Sequence, residues 1–331
     1  MTLLWRNELK SGMLDRMPER MEYNPGEAEP TLARSIEAHY RSLLPALTET
    51  GLIHLLPEKE AVGAVVTDGN EVWECPVPIL ETIQQVIERE TFAKEKYKQG
   101  FTLLHMTPLL TQQELIGILE TQLKRHKTEG KLFGPDGTPL ELDTNRPVYL
   151  YDQFRDADIN GSMRYHHSKF EQNNPGGMTK AELIKQSLDT PFPGWEVSLI
   201  EPGEIPAKDK GKTIKGRKQL EAGKSSKDYL KLLQTDRMYR HETGKIPESW
   251  LTEFLIRLHT KNQVLGDYWG IGKAEFLIGA YHPPSGRAPS GRVPYGYWLR
   301  RYQQAYLYAS YPDDAGDDVG VRSAVRIGVG K

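Results

Sequence analysis

The sequence predicts an α+β fold, because helical and strand-like patterns follow one another along the chain without the regular alternation of an α/β protein. Apolar residues before position 130 recur mainly at helical spacing, whereas the second half reads as a strand, two helices and several further strands. The turn-forming run Gly134-Pro135-Asp136-Gly137 separates the two patterns. We therefore expect a mostly helical N-terminal region of unknown role, residues 1–145, and a second domain, residues 146–331.

Composition is typical of a soluble globular protein. The 331 residues are 38% hydrophobic and 27% charged, with a formal net charge of −2. This balance provides no basic field for a nucleic acid partner, and no apolar run approaches the roughly 20 residues of a membrane helix. The N-terminal residues include Glu8 and lack the apolar core of a secretory signal. We therefore expect a cytoplasmic protein with no nucleic acid or membrane partner.

The first region reads, in order, as a polar arm, a helix, a strand pair and two further helices. Residues 1–30 are polar and lack periodicity, which predicts a loosely held arm. A turn at Asp68-Gly69-Asn70 predicts the strand pair. Thr111 followed by Glu114 predicts a capping box at the start of the last helix. The helices and the strand pair are expected at about residues 31–47, 61–73, 79–98 and 111–123.

The second region begins and ends with strand-like segments that enclose two helices. Ser225 and Pro247 occupy the positions at which such residues start helices. The apolar face of the second helix consists of Trp250, Leu251, Phe254, Leu255 and Leu258. Strands are expected within residues 147–154, 162–165, 195–200, 276–281 and 321–329. A pairing of the first and last of these strands would close the domain.

One acidic loop has the spacing of the first half of a calcium-binding loop, with oxygen ligands at Asp156, Asp158 and Asn160 and a turn at Gly161. The twelfth position of such a loop should be a bidentate glutamate, but this chain has His167 there. An Asn-Gly turn between two strands explains the same residues without a metal ion. We expect no metal site, and the sequence alone leaves calcium binding by these residues open.

The remaining motifs do not predict catalysis. Gly211-Lys212-Thr213 resembles the end of a phosphate-binding loop, but Pro206 stands where its first glycine should be. Residues 208–227 include eight basic and two acidic residues, and a solvated loop is the favoured interpretation. Contact with an anion or a nucleic acid is left open, although no aromatic residues lie among these lysines. The single cysteine, Cys75, is expected to be a buried or semi-buried structural thiol. We predict that the protein is not an enzyme and needs no cofactor.

Tyrosine is concentrated near the C-terminus, where six of the sixteen tyrosines lie within residues 295–311. Tyr306 and Tyr308 alternate with small apolar residues, which predicts a strand with one tyrosine face. Turn-forming Asp, Gly and Ser residues follow. This composition is typical of recognition surfaces, because tyrosine offers a large amphipathic contact area at low entropic cost. Cross-strand aromatic packing is the alternative interpretation.

Three short motifs carry a resemblance to a known family. They are Pro247-Glu248-Ser249-Trp250-Leu251 with Asn262-Gln263-Val264, Gly296-x-Trp298, and Val319-Gly320-Val321-Arg322-x-Ala324-Val325-Arg326-Ile327. Together they resemble the variable proteins of diversity-generating retroelements in archaea and candidate-phylum bacteria. The resemblance covers roughly residues 190–331 and implies a C-type-lectin-like C-terminal domain. It does not extend to residues 1–145.

In that family, adenine-directed mutagenesis rewrites codons on one displayed surface, so the resemblance implies a set of variable, ligand-binding positions. These are Tyr297, Leu299, Arg300, Arg301, Tyr302, Tyr308, Ser310, Tyr311, Asp313, Asp314, Asp317 and Asp318. The implied scaffold positions are Trp298, Leu307, Gly320, Val321, Ala324, Val325 and Ile327. Tyr306 stays unassigned. Many relatives have Phe at the position of Val321. Valine is smaller than phenylalanine and still suits a packed position.

The resemblance therefore implies a hypervariable surface that binds a protein or cell-surface ligand of unknown identity. A lectin-like or phage-tail adhesin of fixed specificity is the alternative, because it would present a similar surface without variation. Formylglycine-generating enzymes share the fold, but their chemistry depends on a cysteine pair. Cys75 is the only cysteine of this chain, so that activity is not expected.

Overall fold

The structure, a computed structural model, describes residues 31–171, 173–270, 272–284 and 291–329, in which helices and strands are mixed throughout. The α-helices of these ranges are α1 (Leu32–Thr50), α2 (Leu80–Arg89), α3 (Thr91–Lys98), α4 (Gln112–Thr128), α5 (Lys180–Leu188), α6 (Ser226–Thr235) and α7 (Pro247–Lys261). The predicted α+β class is confirmed. Along the described parts of the chain, none of the helices is both long and apolar enough to span a membrane.

The strands of the first 200 residues are β1 (His54–Leu56), β2 (Ala61–Thr67), β3 (Val72–Pro76), β4 (Leu103–Pro108), β5 (Val148–Leu150), β6 (Arg164–Tyr165) and β7 (Trp195–Ile200). The later strands are β8 (Thr213–Ile214), β9 (Arg217–Lys218), β10 (Thr243–Gly244), β11 (Asp267–Tyr268), β12 (Ala274–Phe276), β13 (Ala280–Tyr281), β14 (Val293–Leu299), β15 (Gln304–Ser310), β16 (Val319–Gly320) and β17 (Ser323–Arg326). A four-stranded and a six-stranded sheet contain most of them.

The four-stranded sheet has the order β10-β17-β7-β4. Strand β7 is buried along its whole length and pairs antiparallel with β4, from Leu103↔Ile200 to Pro108↔Trp195. Its other neighbour is the late strand β17. Strands from both sides of position 145 therefore share one sheet, and by their contacts Leu32–Lys331 form a compact unit. The division into residues 1–145 and 146–331 stays a prediction.

The six-stranded sheet has the order β16-β12-β14-β15-β5, and β11 pairs with β14 outside this path. Strands β14 and β15 form an antiparallel hairpin, in which Tyr295 pairs with Tyr308 and Tyr297 with Tyr306. Strand β5 runs parallel to β15 and places Tyr149 beside Tyr306. The predicted pairing of the first and last strands is wrong, because β5 pairs with β15 whereas β17 pairs with β7 and β10.

Helix α7 packs between the two larger sheets and contacts both β4 and β14. Pro247 occupies its first turn, where the missing N–H is harmless, and Asn262 ends it in the left-handed conformation with φ 56°. The five predicted apolar residues of its face are all fully buried, as expected. A side chain at Gly296 would overlap the ring of Trp250, so the helix and β14 approach closely only because residue 296 is glycine.

Several local predictions are confirmed. The capping box forms, since the Thr111 hydroxyl accepts from the Glu114 N–H at 3.2 Å and the Glu114 carboxylate accepts from the Thr111 N–H at 2.8 Å. Strands β2 and β3 pair from Gly63↔Pro76 to Thr67↔Val72 around the predicted turn. Residues 79–98 form two helices rather than one, because Glu90 is extended between α2 and α3.

The basic segment of residues 208–227 is not simply a solvated loop, and that interpretation is wrong at Arg217. Its guanidinium is fully buried and contacts Glu242 at 2.7 Å and Glu201 at 3.0 Å. Lys96 joins Glu242 from α3 at 2.7 Å. These partners lie far from Arg217 in sequence, so neighbouring residues could not reveal that this charge is used internally.

Candidate functional site

Strands β5, β14 and β15 alternate between an inner side that faces the core and an outer side that is rich in tyrosine. The inner side chains of the hairpin, among them Trp298, Ala305 and Leu307, are fully buried. The outer side chains include tyrosines from all three strands, because residues two apart on a strand share a face. We call the following five residues the tyrosine face: Tyr149, Tyr295, Tyr297, Tyr306 and Tyr308.

Four of these rings stack in a continuous row. Ring centroids lie 4.9 Å apart between Tyr149 and Tyr306, 5.1 Å between Tyr306 and Tyr297, and 5.2 Å between Tyr297 and Tyr295. The planes of each pair are inclined by 20° or less. Tyr308 meets Tyr295 edge-on at 5.8 Å. Such aromatic pairs stabilise one another by about 0.5–1.5 kcal/mol beyond simple burial.

Exposure rises from the centre of the tyrosine face towards its rim. Tyr297 is only 6% exposed, while its four companions are half-buried. At the rim, Tyr302 is 52% and Trp269 66% exposed. A packed centre with accessible edges leaves a surface that can contact a partner without rearranging the sheet.

Burial raises the pKa of Tyr297 and of Tyr295 well above the usual range of a phenol, and the two side chains hydrogen-bond to each other. Burial also raises the pKa of Tyr149 and of Tyr306. These hydroxyl groups are therefore neutral at physiological pH. A neutral phenol both donates and accepts hydrogen bonds, so the tyrosine face combines aromatic area with two-way polar contacts.

The loop after β15 is organised by its own polar groups. One Asp314 carboxylate oxygen accepts hydrogen bonds from the Tyr311 N–H at 3.0 Å and from the Ser310 hydroxyl at 3.1 Å. The Arg292 guanidinium lies 3.8 Å from the Tyr311 ring centroid and donates to its hydroxyl at 3.0 Å. Tyr311 is therefore displayed in a defined position although it is 46% exposed.

Two further aspartates of this loop make ion pairs with lysines from other segments. Asp313 lies 2.9 Å from Lys227 of α6, and Asp318 lies 2.6 Å from Lys273 beside β12. Asp317 is exposed on the same loop. The loop is therefore a polar, predominantly acidic border of the tyrosine face.

The turn between β14 and β15 mixes buried and exposed positions. Leu299 is 5% exposed and packs with Tyr297 and Ala274. Arg300 is held by the buried carboxylate of Asp267, with a hydrogen bond of 2.6 Å from Nη2. Arg301 and Tyr302 follow as exposed residues.

All twelve positions assigned as variable thus lie on this hairpin or its loops, and they fall into two groups. Tyr297 and Leu299 are buried, and Arg300 is tied to the buried carboxylate of Asp267. The other nine are half-buried or exposed. The implied scaffold positions other than Gly320 are at most 1% exposed. At Gly320, a side chain would approach Ile205 to 2.6 Å.

Three aromatic residues of the site were missed by sequence reasoning: Tyr149, Tyr268 and Trp269. Tyr149 reaches the tyrosine face only through the parallel pairing of β5 with β15. Tyr268 reaches the tyrosine face because β11 pairs in parallel with β14. Pairings between segments so far apart leave no local spacing signal, although a strand was expected within residues 147–154.

The acidic loop at residues 156–161 has the form of a turn. Asp158 is buried and accepts a hydrogen bond of 2.8 Å from the Gln112 N–H, which ties the loop to the start of α4. The Asn160 side chain accepts from the Ser162 N–H at 2.9 Å. Within the described residues, no group of three or more His, Cys, Asp or Glu side chains is arranged to hold a metal ion.

Cys75 lies on β3 and is 1% exposed. Burial raises the pKa of its thiol to about 11, so the reactive thiolate is disfavoured at neutral pH. The predicted buried position of this thiol is confirmed.

Comparison of this chain with protein-family models, with curated proteins and with solved structures finds no match. Any functional conclusion therefore depends on the chemistry of the residues themselves. The most distinctive chemistry is the stacked, half-exposed tyrosine face with its acidic border.

Proposed function

We propose that this chain is a ligand-binding protein with a C-type-lectin-like fold, and that a retroelement diversifies the variable positions of its β14–β15 hairpin and the adjoining loops. One observation carries the proposal: five tyrosines from three adjacent strands meet in a single half-exposed surface, backed by a fully buried inner side. The sequence resemblance of residues 190–331 supplies the link to diversification.

The composition of the surface supports binding. Tyrosine combines a large contact area with few rotatable bonds, so it loses little entropy when a partner immobilises it. The stacked rings restrict one another further before any ligand arrives. Because pre-organised aromatic side chains frequently dominate interface energetics, we expect the hot spots of binding on Tyr306, Tyr308 and their neighbours.

The separation of inner and outer positions supports diversification. On β15, Ala305 and Leu307 face the core, whereas Tyr306 and Tyr308 face outwards. A substitution at an outward position changes the contact surface while the inner packing keeps the backbone in place. A protein that must tolerate many versions of one surface needs this arrangement.

The partner we propose is a protein or cell-surface molecule. Asp314 and Asp317 would repel the phosphates of a nucleic acid, since repulsion between like charges opposes association, whereas Asp313 and Asp318 are compensated by Lys227 and Lys273. The same acidic border would favour partners with basic groups opposite it and so contributes to specificity.

A fixed-specificity, lectin-like adhesin is the second candidate, and one observation favours it. The rings of Tyr295, Tyr297 and Tyr306 contact one another closely, so a change at Tyr297 would disturb its neighbours. Such mutual dependence suits a surface that keeps one ligand. Formylglycine-generating chemistry is not proposed, since it depends on two cysteines and this chain has one.

The DNA that flanks the coding sequence tests the proposal. We expect a near-copy of the segment that encodes residues 295–327, differing from it where the copy has adenine, beside a reverse transcriptase gene. The differences should fall on outward positions such as Tyr308 and Tyr311. A complete flank without such a copy would contradict diversification and favour the adhesin of fixed specificity.

A further inference from the structure

A loop before β12 displays a tryptophan beside the tyrosine face. Trp269 is 66% exposed, although tryptophan is highly buried in most proteins. Its backbone is in the left-handed conformation, with φ 61°, which is sparsely populated by bulky residues. An exposed indole in such a conformation is held there by its surroundings, and this makes its position a candidate for function.

Ring contacts connect Trp269 to the tyrosine face through Tyr268. The Trp269 and Tyr268 rings stack with centroids 5.0 Å apart and planes inclined by 27°. Tyr268 in turn lies 5.0 Å from Tyr297 at the centre of the face. Trp269 therefore extends the aromatic surface beyond the hairpin.

Asp267 anchors this loop from within. Its side chain is fully buried and accepts hydrogen bonds from Arg300 Nε at 2.9 Å and Arg300 Nη2 at 2.6 Å. The Asp267 carbonyl accepts from the N–H groups of Gly270 and Gly272, both at 3.1 Å. A side chain at Gly270 would overlap the Asp267 carboxylate, so this tight turn requires glycine there.

Arg300 is also engaged on its other side. Nη2 donates to the Asp136 carboxylate at 2.9 Å. Hydrogen bonds from Thr138 and from Arg300 lower the pKa of Asp136 to about 2. Arg300 therefore joins three segments that are distant in sequence, and its charge is compensated by two carboxylates of its own chain. A guanidinium in this arrangement positions other groups rather than contacting a partner.

We propose that Trp269 is a ligand-contact residue that stays constant while the variable positions of the β14–β15 hairpin change, and that Arg300 is a positioning residue that holds the Trp269 loop through Asp267. This inference rests on the proposed function, since Trp269 lies outside the varied segment of residues 295–318. The partner that it fits is a protein with an apolar depression for an indole ring, because tryptophan is a frequent interface hot spot. Arg300 then differs from the other variable positions and should be retained.

Selection against a probe protein tests the contact role. Tyr302, Tyr308, Ser310, Tyr311 and Asp313 are randomised in the full-length chain displayed on yeast, and binders to lysozyme are isolated. In each binder, Trp269→Ala should weaken lysozyme binding about tenfold or more. Val72→Ala is the matched control, since Val72 is equally exposed at 66% but lies on β3, and it should change binding less than about twofold.

The outcomes separate the contact role of Trp269 from the proposed binding function. Binders that lose lysozyme on Trp269→Ala but not on Val72→Ala support both. Binders that depend on the randomised positions and are indifferent to Trp269→Ala overturn this inference and leave the proposed function standing. A library that yields no lysozyme binder contradicts the proposed function, and the inference fails with it.

The positioning role of Arg300 has its own readout. In protein labelled with 5-fluorotryptophan, the ¹⁹F signal of Trp269, identified with Trp269→Phe, should shift in Arg300→Ala and return towards its original place in Arg300→Lys. Lysozyme binding should fall and recover in the same variants. Arg89→Ala, at an exposed arginine at the end of α2, is the control and should move neither quantity. An unmoved Trp269 signal with unchanged binding in Arg300→Ala would overturn the positioning role.

Discussion

The two sides of the six-stranded sheet are held by different interactions. On the inner side, Trp298, Ala305 and Leu307 are fully buried, and Gly296 lies against Trp250 of α7. On the outer side, the tyrosine rings contact mainly one another and keep part of their surface exposed. The inner side therefore determines the backbone, and the outer side supplies groups for contact. Under the proposed function, a single alternation of side chains along two strands separates the residues for stability from those for recognition.

The largest expected effect tests the inner side. Trp298→Ala should lower the free energy of unfolding by about 3–5 kcal/mol, because it removes a large, fully buried side chain and leaves a cavity. Trp269→Ala, at an exposed tryptophan, should have a much smaller effect. Urea denaturation followed by circular dichroism measures both. Equal losses in the two variants would show that the two sides do not differ in this way.

Acid titration tests the buried interior in a second way, because strand β4, which packs against α7, contains the buried imidazole of His105. His105 lies 3.1 Å from the Ser249 carbonyl of α7, and burial lowers its pKa to about 4. Below its ordinary pKa of about 6.5, the unfolded chain binds a proton that the folded protein does not yet bind. The free energy of unfolding therefore has its full value above pH 6.5, and it decreases by up to about 3 kcal/mol as the pH falls to about 4.

The free energy of unfolding, measured in urea at pH 7, 5 and 4, checks this dependence. His105→Gln should show a flatter profile than the unsubstituted protein, although His167, whose pKa is also lowered to about 4 by burial, contributes to the remaining slope. Tyr149, Tyr295, Tyr297 and Tyr306 should not titrate in this window, because burial raises the pKa of each phenol. Identical slopes for His105→Gln and the unsubstituted protein would show that the lowered pKa of His105 is not a cause of the stability loss in acid.

An intermediate effect is expected where the hairpin turn meets a buried charge. Arg300→Ala leaves the Asp267 carboxylate buried without its guanidinium and should destabilise the protein by about 2–3 kcal/mol. Arg301→Ala, one residue further along and exposed, should change stability by less than about 0.5 kcal/mol. Thermal unfolding of the two variants measures the difference. Similar midpoints would remove Arg300 from the structural group and return it to the contact surface.

The smallest expected effect belongs to the outer side. Tyr308→Ala removes ring contacts to Tyr295 at 5.8 Å and Tyr151 at 5.4 Å. It should reduce stability by only about 1–2 kcal/mol, because Tyr308 is half-buried and its neighbours can remain in place. The far-ultraviolet circular dichroism spectrum should be unchanged. A loss as large as that of Trp298→Ala would make Tyr308 a scaffold residue.

Local signals predicted much of the fold. The capping box at Thr111, the helix starts at Ser225 and Pro247 and the buried strand at residues 195–200 depend on neighbouring residues, and all were found. The shared sheet of β4, β7 and β17 was not foreseen, because pairing partners more than 80 residues apart leave no trace in local periodicity.

The candidate site was foreseen only where it is local. Alternation along residues 305–309 placed Tyr306 and Tyr308 on one face, and the structure agrees. Tyr149 and Trp269 join them only through strand pairings, and the burial of Arg217 depends on Glu201 and Glu242. Interactions of this kind follow from the completed fold rather than from the motif in which each residue stands.

The most direct test is to sequence many natural copies of the codons for residues 291–329. We expect substitutions to concentrate on outward positions such as Tyr302, Tyr308 and Tyr311, while Trp298 and Leu307 stay constant. Arg300 should be constant as well. Copies that are identical throughout, or substitutions spread evenly over inward and outward positions, would contradict a diversified surface on this sheet.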